Sequence, residues 1–331
     1  MLRWLLGGLL ALIGLAALLL VGGYFVLKRD DIPYATLAAK YESAASRYVD
    51  LPGNVRVHYR DEGLQSADAP VLLLVHGFSA SLHTWEPWVA RMGDTYRIVS
   101  LDLPGHGLTS APAGYQASIE VYRDLVEAFA RAQNLNRFFL AGSSMGGNVA
   151  WQYALAHPER VEGLILVSAS GWEDTRPEAQ EALAFRLLRS PIGRYLMQLD
   201  STRLVRNGLE ASFYDATLVD DAMVTRYSEL ARAPGHRDII LQMSTGRRMH
   251  ATPEMLAPLA AMPVLVLHGD TDRIVPSEHG PQFANAIQGS TLVMYENTGH
   301  IPQEEIPDRS AADVRAFVDT ARVRANVASV N

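Results

Sequence analysis

Hydrophobic residues along this chain fall into three kinds of run, and each predicts a different element. The first kind is continuous: from Trp4 to Leu27 no residue is charged, and Leu, Ala, Gly, Val and Ile dominate. About 24 residues of helix reach roughly 36 Å, enough to cross a hydrocarbon core of ~30 Å. The second kind is short and mainly apolar, at 71–75, 96–102, 137–141, 161–168, 263–268 and 290–296. Such runs predict strands covered on both faces, as in a parallel sheet. The third kind has helical spacing. In 34–46 Leu37, Tyr41 and Ala45 share one face with Lys40 and Glu42 between them, which predicts a helix lying against the membrane or against the domain.

Residues 48–51 and 55–60, joined by Pro52-Gly53-Asn54, predict an antiparallel hairpin. After it, strands and helices alternate as in a doubly wound α/β domain. Between 161–168 and 263–268 lie roughly 90 residues poor in β-branched runs, with helix-like stretches at 177–188, 220–231 and 237–250. An excursion of that kind reads as a helical lid over the site. The chain thus divides into an anchor (1–27), a juxtamembrane helix (28–46), two halves of one core (47–171 and 261–331) and a lid (172–260).

The apolar N-terminus has three readings. A buried soluble helix does not fit, because the run has no polar face and lies outside the core. A cleaved signal peptide would start at Arg3 and use Val21-Gly22-Gly23, but the run exceeds the usual apolar region and no A-x-A follows it. The expectation is an uncleaved single-pass anchor contacting the bilayer through residues 4–27. Its orientation is not set by charge, since Arg3 stands on one side and Lys28 and Arg29 on the other. The anchor and the juxtamembrane helix also offer a surface for a homodimer.

Charge and composition narrow the chemistry. With 29 basic against 36 acidic residues and no basic block, no nucleic-acid partner is expected. The chain has no cysteine, which removes thiol nucleophiles, disulfides and zinc–thiolate sites. No H-E-x-x-H, Walker loop or strand-borne G-x-G-x-x-G occurs, so neither metal nor cofactor is expected.

The chemistry that remains is nucleophilic. Gly142-Ser143-Ser144-Met145-Gly146 follows the apolar run 137–141 and opens a helix-like stretch, 145–157. That order is a strand, a sharp turn and a helix with Ser144 at the apex, and the flanking glycines allow the backbone to cross. Such a pentapeptide arises by chance in about one chain in ten of this length, so its company decides the matter. Upstream, His76-Gly77-Phe78 ends the run 71–75 and can offer the Phe78 N–H to an oxyanion; the Met145 N–H is the second expected donor. His76, and His106 in Leu103-Pro104-Gly105-His106-Gly107, read as packing residues. Downstream, the run 263–268 leads into Gly269-Asp270-Thr271-Asp272. Asp272, just before Ile274-Val275-Pro276, is preferred over Asp270 as the acid, and His300 after Gly299 is the expected general base.

The order Ser144, Asp272, His300 and the surrounding motifs resemble those of the α/β-hydrolase superfamily. The likeness runs from about Tyr41 to the C-terminal helix and is nearest to bacterial family V lipases and esterases and their membrane-anchored phospholipase A relatives. It rests on His76-Gly77-Phe78, Ser81-Leu82-His83-Thr84-Trp85, Asp102-Leu-Pro-Gly-His-Gly107, the Ser144 motif, Gly269-Asp-Thr-Asp272 and Gly299-His300. The resemblance implies a mostly parallel sheet flanked by helices, with a lid. It also implies hydrolysis of acyl esters, including membrane glycerophospholipids, by a domain facing the periplasm from a bacterial inner membrane. Two other readings stay open: a meta-cleavage-type C–C hydrolase, which shares the serine triad, and a non-catalytic hydrolase-like receptor.

Overall fold

The computed structural model describes residues 2–176, 183–246 and 249–330. Its centre is an eight-stranded sheet in the order β1-β2-β4-β3-β5-β6-β7-β8. Here β1 (Ser46–Leu51) and β2 (Val55–Gly63) form the expected hairpin, and β3 (Val71–Val75) pairs in parallel with β4 (Arg97–Leu101). Strand β2 joins antiparallel to β4, and β5 (Phe138–Ser143), β6 (Val161–Val167), β7 (Val264–Gly269) and β8 (Thr291–Tyr295) extend the parallel part. Every residue of β5 and β7 is buried, whereas the edge strand β8 buries only its last. Uninterrupted apolar sequence and a two-sided covering are therefore one fact seen twice.

Ahead of the sheet, α1 (Leu2–Leu27) is long and apolar enough to cross a membrane, and none of its most apolar window is buried in the protein. The next helix, α2 (Tyr34–Tyr41), is shorter than the 28–46 expected for it: Glu42 turns to extended backbone, and Ser46 already belongs to β1. Helix α2 docks on the protein itself, where Leu37 packs with Leu108, Leu230 and Ala233.

Alternate side chains of each strand feed two layers. Leu73 and Val75 of β3, with Phe138 and Leu140 of β5, belong to the larger core; Leu72, Leu74, Phe139 and Ala141 belong to the other. The second layer is covered by α3 (Glu86–Met92) through Trp88 and Met92. The first is covered by α4 (Ile119–Ala132), through Tyr122, Val126 and Phe129, and by α5 (Met145–Ala156), through Val149, Trp151 and Tyr153.

Between β6 and β7 the chain leaves the sheet, and regular structure there is helical among the described residues: α6 (Leu183–Arg189), α7 (Gly193–Leu196), α8 (Thr202–Ser212), α9 (Asp221–Leu230), α10 (His236–Thr245) and α11 (Pro253–Leu256). Of the helix expected at 177–188, positions 177–182 lie outside the described residues, and the rest falls in α6. The helix expected at 237–250 is α10; it stops at Thr245, where Gly246 becomes extended, and 247–248 lie outside the described residues. Helix α8 was not anticipated from sequence, and Leu209 is its one buried residue. The chain then returns through β7, α12 (His279–Ala286), β8, α13 (Pro302–Glu305) and α14 (Pro307–Val330), whose Val314 and Val318 complete the second layer.

Candidate active site

Strands β3, β5, β7 and β8 are parallel, so the residues that follow them emerge at one edge of the sheet, where open α/β sheets hold their ligands. Phe78 follows β3, Ser144 follows β5, Asp272 follows β7 and His300 follows β8. The topology alone therefore assigns all of them to the same side.

Ser144 is the junction between β5 and α5 and sits at φ 54°, ψ −116°, a conformation costly for any residue with a Cβ. The chain can turn there because Gly142 and Gly146 lack side chains. A Cβ on Gly142 would fall 2.1 Å from the Gly146 carbonyl oxygen, and one on Gly146 would fall 2.1 Å from that of Val75. Backbone bonds hold the turn: Ser144 N–H donates to the Val167 carbonyl (2.9 Å), and the Ser144 carbonyl accepts from Ser170 N–H (3.0 Å). The serine is half-buried, and Met145 follows it as the first residue of α5, where backbone N–H groups have no helical acceptor. On the other side Gly77 lies against the serine, since a Cβ there would stand 3.1 Å from Ser144 Cβ. Phe78 is the next residue.

His76 has the packing role expected of it. Its Nε2 accepts from Leu103 N–H (3.0 Å), so Nδ1 carries the hydrogen and donates to the Gly77 carbonyl (2.7 Å). Burial pushes its pKa down, in keeping with that neutral form. His106 likewise has its Nδ1 against the Pro104 carbonyl (3.1 Å), packed beside the His76 ring.

Asp272 is buried in the turn after β7. Its Oδ1 accepts from the Ile274 and Val275 amides (2.8 and 2.9 Å), and its Oδ2 accepts from His300 Nδ1 (2.7 Å). Burial by itself would push this carboxyl up; the His300 ring and the hydrogen bonds from His268 and His300 outweigh it and hold the group below the usual carboxylate range. Asp270 is exposed, and its backbone N–H pairs with the Tyr295 carbonyl (2.9 Å). Of the two aspartates considered, only Asp272 reaches the histidine.

His300 is buried, its N–H donates to the Ser212 carbonyl of the lid (2.7 Å), and its ring meets Asp272. Three residues on, Gln303 Nε2 donates to Ser143 Oγ (3.3 Å) and Thr84 Oγ1 (3.0 Å), tying the histidine loop to the residue before Ser144. Glu305 Oε2 accepts from Gly299 N–H (2.6 Å), while its Oε1 accepts from the Tyr214 and Asp215 amides (2.7 and 2.9 Å). Sequence reading passed over His268, Gln303 and Glu305. A signal was present for His268, four residues before Asp272 across a tight Gly-Asp-Thr turn; the other two depend on tertiary contact.

Among the described residues no group of three or more His, Cys, Asp or Glu is arranged to hold a metal ion. The arrangement provides a strained serine, a histidine held by a buried carboxylate and two backbone amides at the same sheet edge. Those parts suit addition of an oxygen nucleophile to a carbonyl.

A family model described as alpha/beta hydrolase fold matches residues 70–307. The structure of a membrane phospholipase A, described as a bacterial virulence factor, is 29% identical with a TM-score of 0.73; the match covers 97% of this chain and 99% of that one. The acetyltransferase component of the acetoin cleaving system of Cupriavidus necator is 28% identical over 80% of this chain, which spans 66% of that protein's length. The 2-hydroxymuconate semialdehyde hydrolase of a Pseudomonas species is 25% identical over 82% of this chain and 93% of its own.

Proposed function

The chain belongs to the alpha/beta hydrolase family, and from that premise we propose that it is a membrane-anchored serine carboxylester hydrolase, phospholipase A-like, acting on acyl esters of membrane lipids. The observation that carries the chemistry is the pairing of Asp272 and His300 (2.7 Å) at the sheet edge from which the strained Ser144 turn emerges. Ser144 Oγ adds to the ester carbonyl as its proton passes to His300, and Asp272 fixes the ring and stabilises the imidazolium. The Phe78 and Met145 N–H groups hold the oxyanion. Collapse expels the alcohol, which takes the proton from His300, and leaves an acyl-serine. Water then adds with His300 as base, and Ser144 leaves with its proton restored as the fatty acid departs.

The lipid substrate is supported by α1 and by the likeness to a membrane phospholipase A along nearly the whole chain. A helix of this kind holds the domain close to the bilayer and raises the effective concentration of amphiphilic esters. We place the protein in a bacterial inner membrane, single-pass, with the domain on the periplasmic side. We propose that a homodimer, if formed, is made through α1 and the juxtamembrane segment, with Leu37 of α2 buried within the chain.

The test is to incubate the detergent-solubilised protein with mixed phospholipids and glycerides and identify the released species by mass spectrometry. Release of fatty acid and lysophospholipid is expected from the wild type, and a fall of roughly three or more orders of magnitude in kcat for Ser144→Ala. A fluorophosphonate is expected to label Ser144. Labelling elsewhere, or undiminished turnover in the alanine variant, removes the proposal. The 2-hydroxymuconate semialdehyde hydrolase likeness supports C–C hydrolysis as the second reading, and cleavage of a ring-fission dienoate in preference to esters would establish it.

A further inference from the structure

His268 ends β7 one residue before its last glycine, and its side chain is wholly buried. Its Nε2 stands 3.2 Å from Asp272 Oδ2 and 3.5 Å from the Val275 carbonyl oxygen. A carboxylate and a carbonyl only accept, so Nε2 carries a hydrogen and donates. Space for the ring is made by α12: a Cβ on Gly280 would fall 2.9 Å from His268 Cβ and 3.2 Å from its Cγ. The other ring nitrogen, Nδ1, is buried with no hydrogen-bond partner among the described residues. An unpaired buried nitrogen is costly, and an apolar side chain of similar size would avoid that cost. The ring's nearest polar neighbour is the Asp272 carboxylate, with the Val275 carbonyl beyond it.

Resting on the Ser144, His300 and Asp272 reading above, we propose that His268 is a positioning residue for Asp272. Two backbone amides hold Oδ1, and His268 takes one side of Oδ2, leaving a single direction open to His300. A carboxylate held at both oxygens cannot rotate, and the His300 ring is fixed through its Nδ1 bond to it. What the site needs at position 268 is a hydrogen-bond donor at the reach of Nε2, rather than bulk or polarity. Supporting partners of this kind act through the group they orient.

Two polar substitutions separate these possibilities in the full chain. In His268→Gln the amide nitrogen reaches about as far as Nε2; in His268→Asn it stops near the position of Nδ1. The measurements are kcat and KM on a short-chain chromogenic ester, with the far-downfield proton resonance of the His300–Asp272 bond, assigned by its loss in Asp272→Asn. For His268→Asn the expected result is a fall in kcat of roughly 10- to 100-fold with KM little changed, and a displaced or broadened resonance. For His268→Gln both quantities are expected to stay near wild type. Equal effects of the two variants, with the resonance unmoved in both, would overturn the proposal in favour of packing alone. A wild type inert towards esters would remove the hydrolase reading by itself, while the resonance comparison still decides the role of His268.

Discussion

Asp102 and Asp272 are kept as anions inside the protein by a similar device, two backbone amides with one histidine at Asp102 and two at Asp272. Asp102 accepts from Leu82 N–H (2.8 Å), Leu108 N–H (2.9 Å) and His58 Nδ1 (2.7 Å), and His58 passes the contact on to Ser46 (2.9 Å). Gly107, at φ 55°, is required beside it, because a Cβ there would lie 2.0 Å from the carboxylate. Burial by itself would raise the Asp102 carboxyl, but His58 outweighs it and holds the group below the usual range, as His300 and His268 do for Asp272. The unfolded chain therefore takes up these protons first as pH falls through about 4, so the stability they contribute is complete above that value and is lost on further acidification. Asp102→Asn is expected to cost about 3 kcal/mol at neutral pH. It should also lower the slope of stability against pH below about pH 4 by up to ~1.4 kcal/mol per unit; urea unfolding at several pH values measures both. At the other aspartate, Asp272→Asn should lower kcat by orders of magnitude, whereas Asp270→Asn at the exposed neighbour should change it less than about two-fold. That choice was legible in the sequence because only the later aspartate precedes the Ile274-Val275 amides that seat its carboxylate. The His58–Asp102 pair was not legible, since its partners lie 44 residues apart with no spacing rule to join them.

At the scale of elements, legibility follows the covering of each segment. Strand β3 spans the same residues in sequence and structure, and β5 and β7 shift by one or two, because a strand buried on both faces must be apolar throughout. The lid is different. Helix α8 carries Arg203, Arg206, Asn207 and Glu210, and its few apolar residues pack in a cluster with other lid residues and Ile301, so nothing local marks it. Yet α8 is the lid element joined most closely to the site. Its last residue, Ser212, accepts from His300 N–H (2.7 Å), and Glu305 binds the Tyr214 and Asp215 amides together with Gly299 N–H. Lid and histidine loop are thus joined by both main-chain and side-chain hydrogen bonds. Glu305→Ala should uncouple them: kcat is expected to fall several-fold, with faster proteolytic nicking near Phe213–Asp215. Unchanged kinetics and an unchanged digestion pattern would show that the Ser212 contact suffices.

For the molecule as a whole, residues 28–31 just behind α1 are fastened to the lid. Lys28 bridges to Leu199, and Arg29 N–H donates to the Gln198 carbonyl (2.8 Å). The buried Arg237 grips the carbonyls of Arg29 (2.7 Å) and Met197 (3.1 Å) and the Asp31 carboxylate (2.5 Å). A cavity of about 250 Å³ at this joint is lined by Tyr24, Tyr195 and Leu241. Deleting residues 2–26 keeps Leu27, whose carbonyl accepts from Asp200 N–H (2.9 Å). That truncation should leave turnover of a short soluble ester nearly unchanged and reduce phospholipid turnover in vesicles several-fold, as loss of tethering would. Equal loss on both would assign α1 a part in folding. The joint also has a history in time. Arg29 meets a residue 208 positions later, Asp31 one 206 later and Lys40 one 189 later. An eight-residue helix such as α2 does not persist alone, and its hold is complete only when α9 and α10 have been synthesised. At ~5–20 residues per second that is a delay of about 10 to 40 s. The chain first emerges on a slack leash, and the leash is drawn tight only near the end of translation.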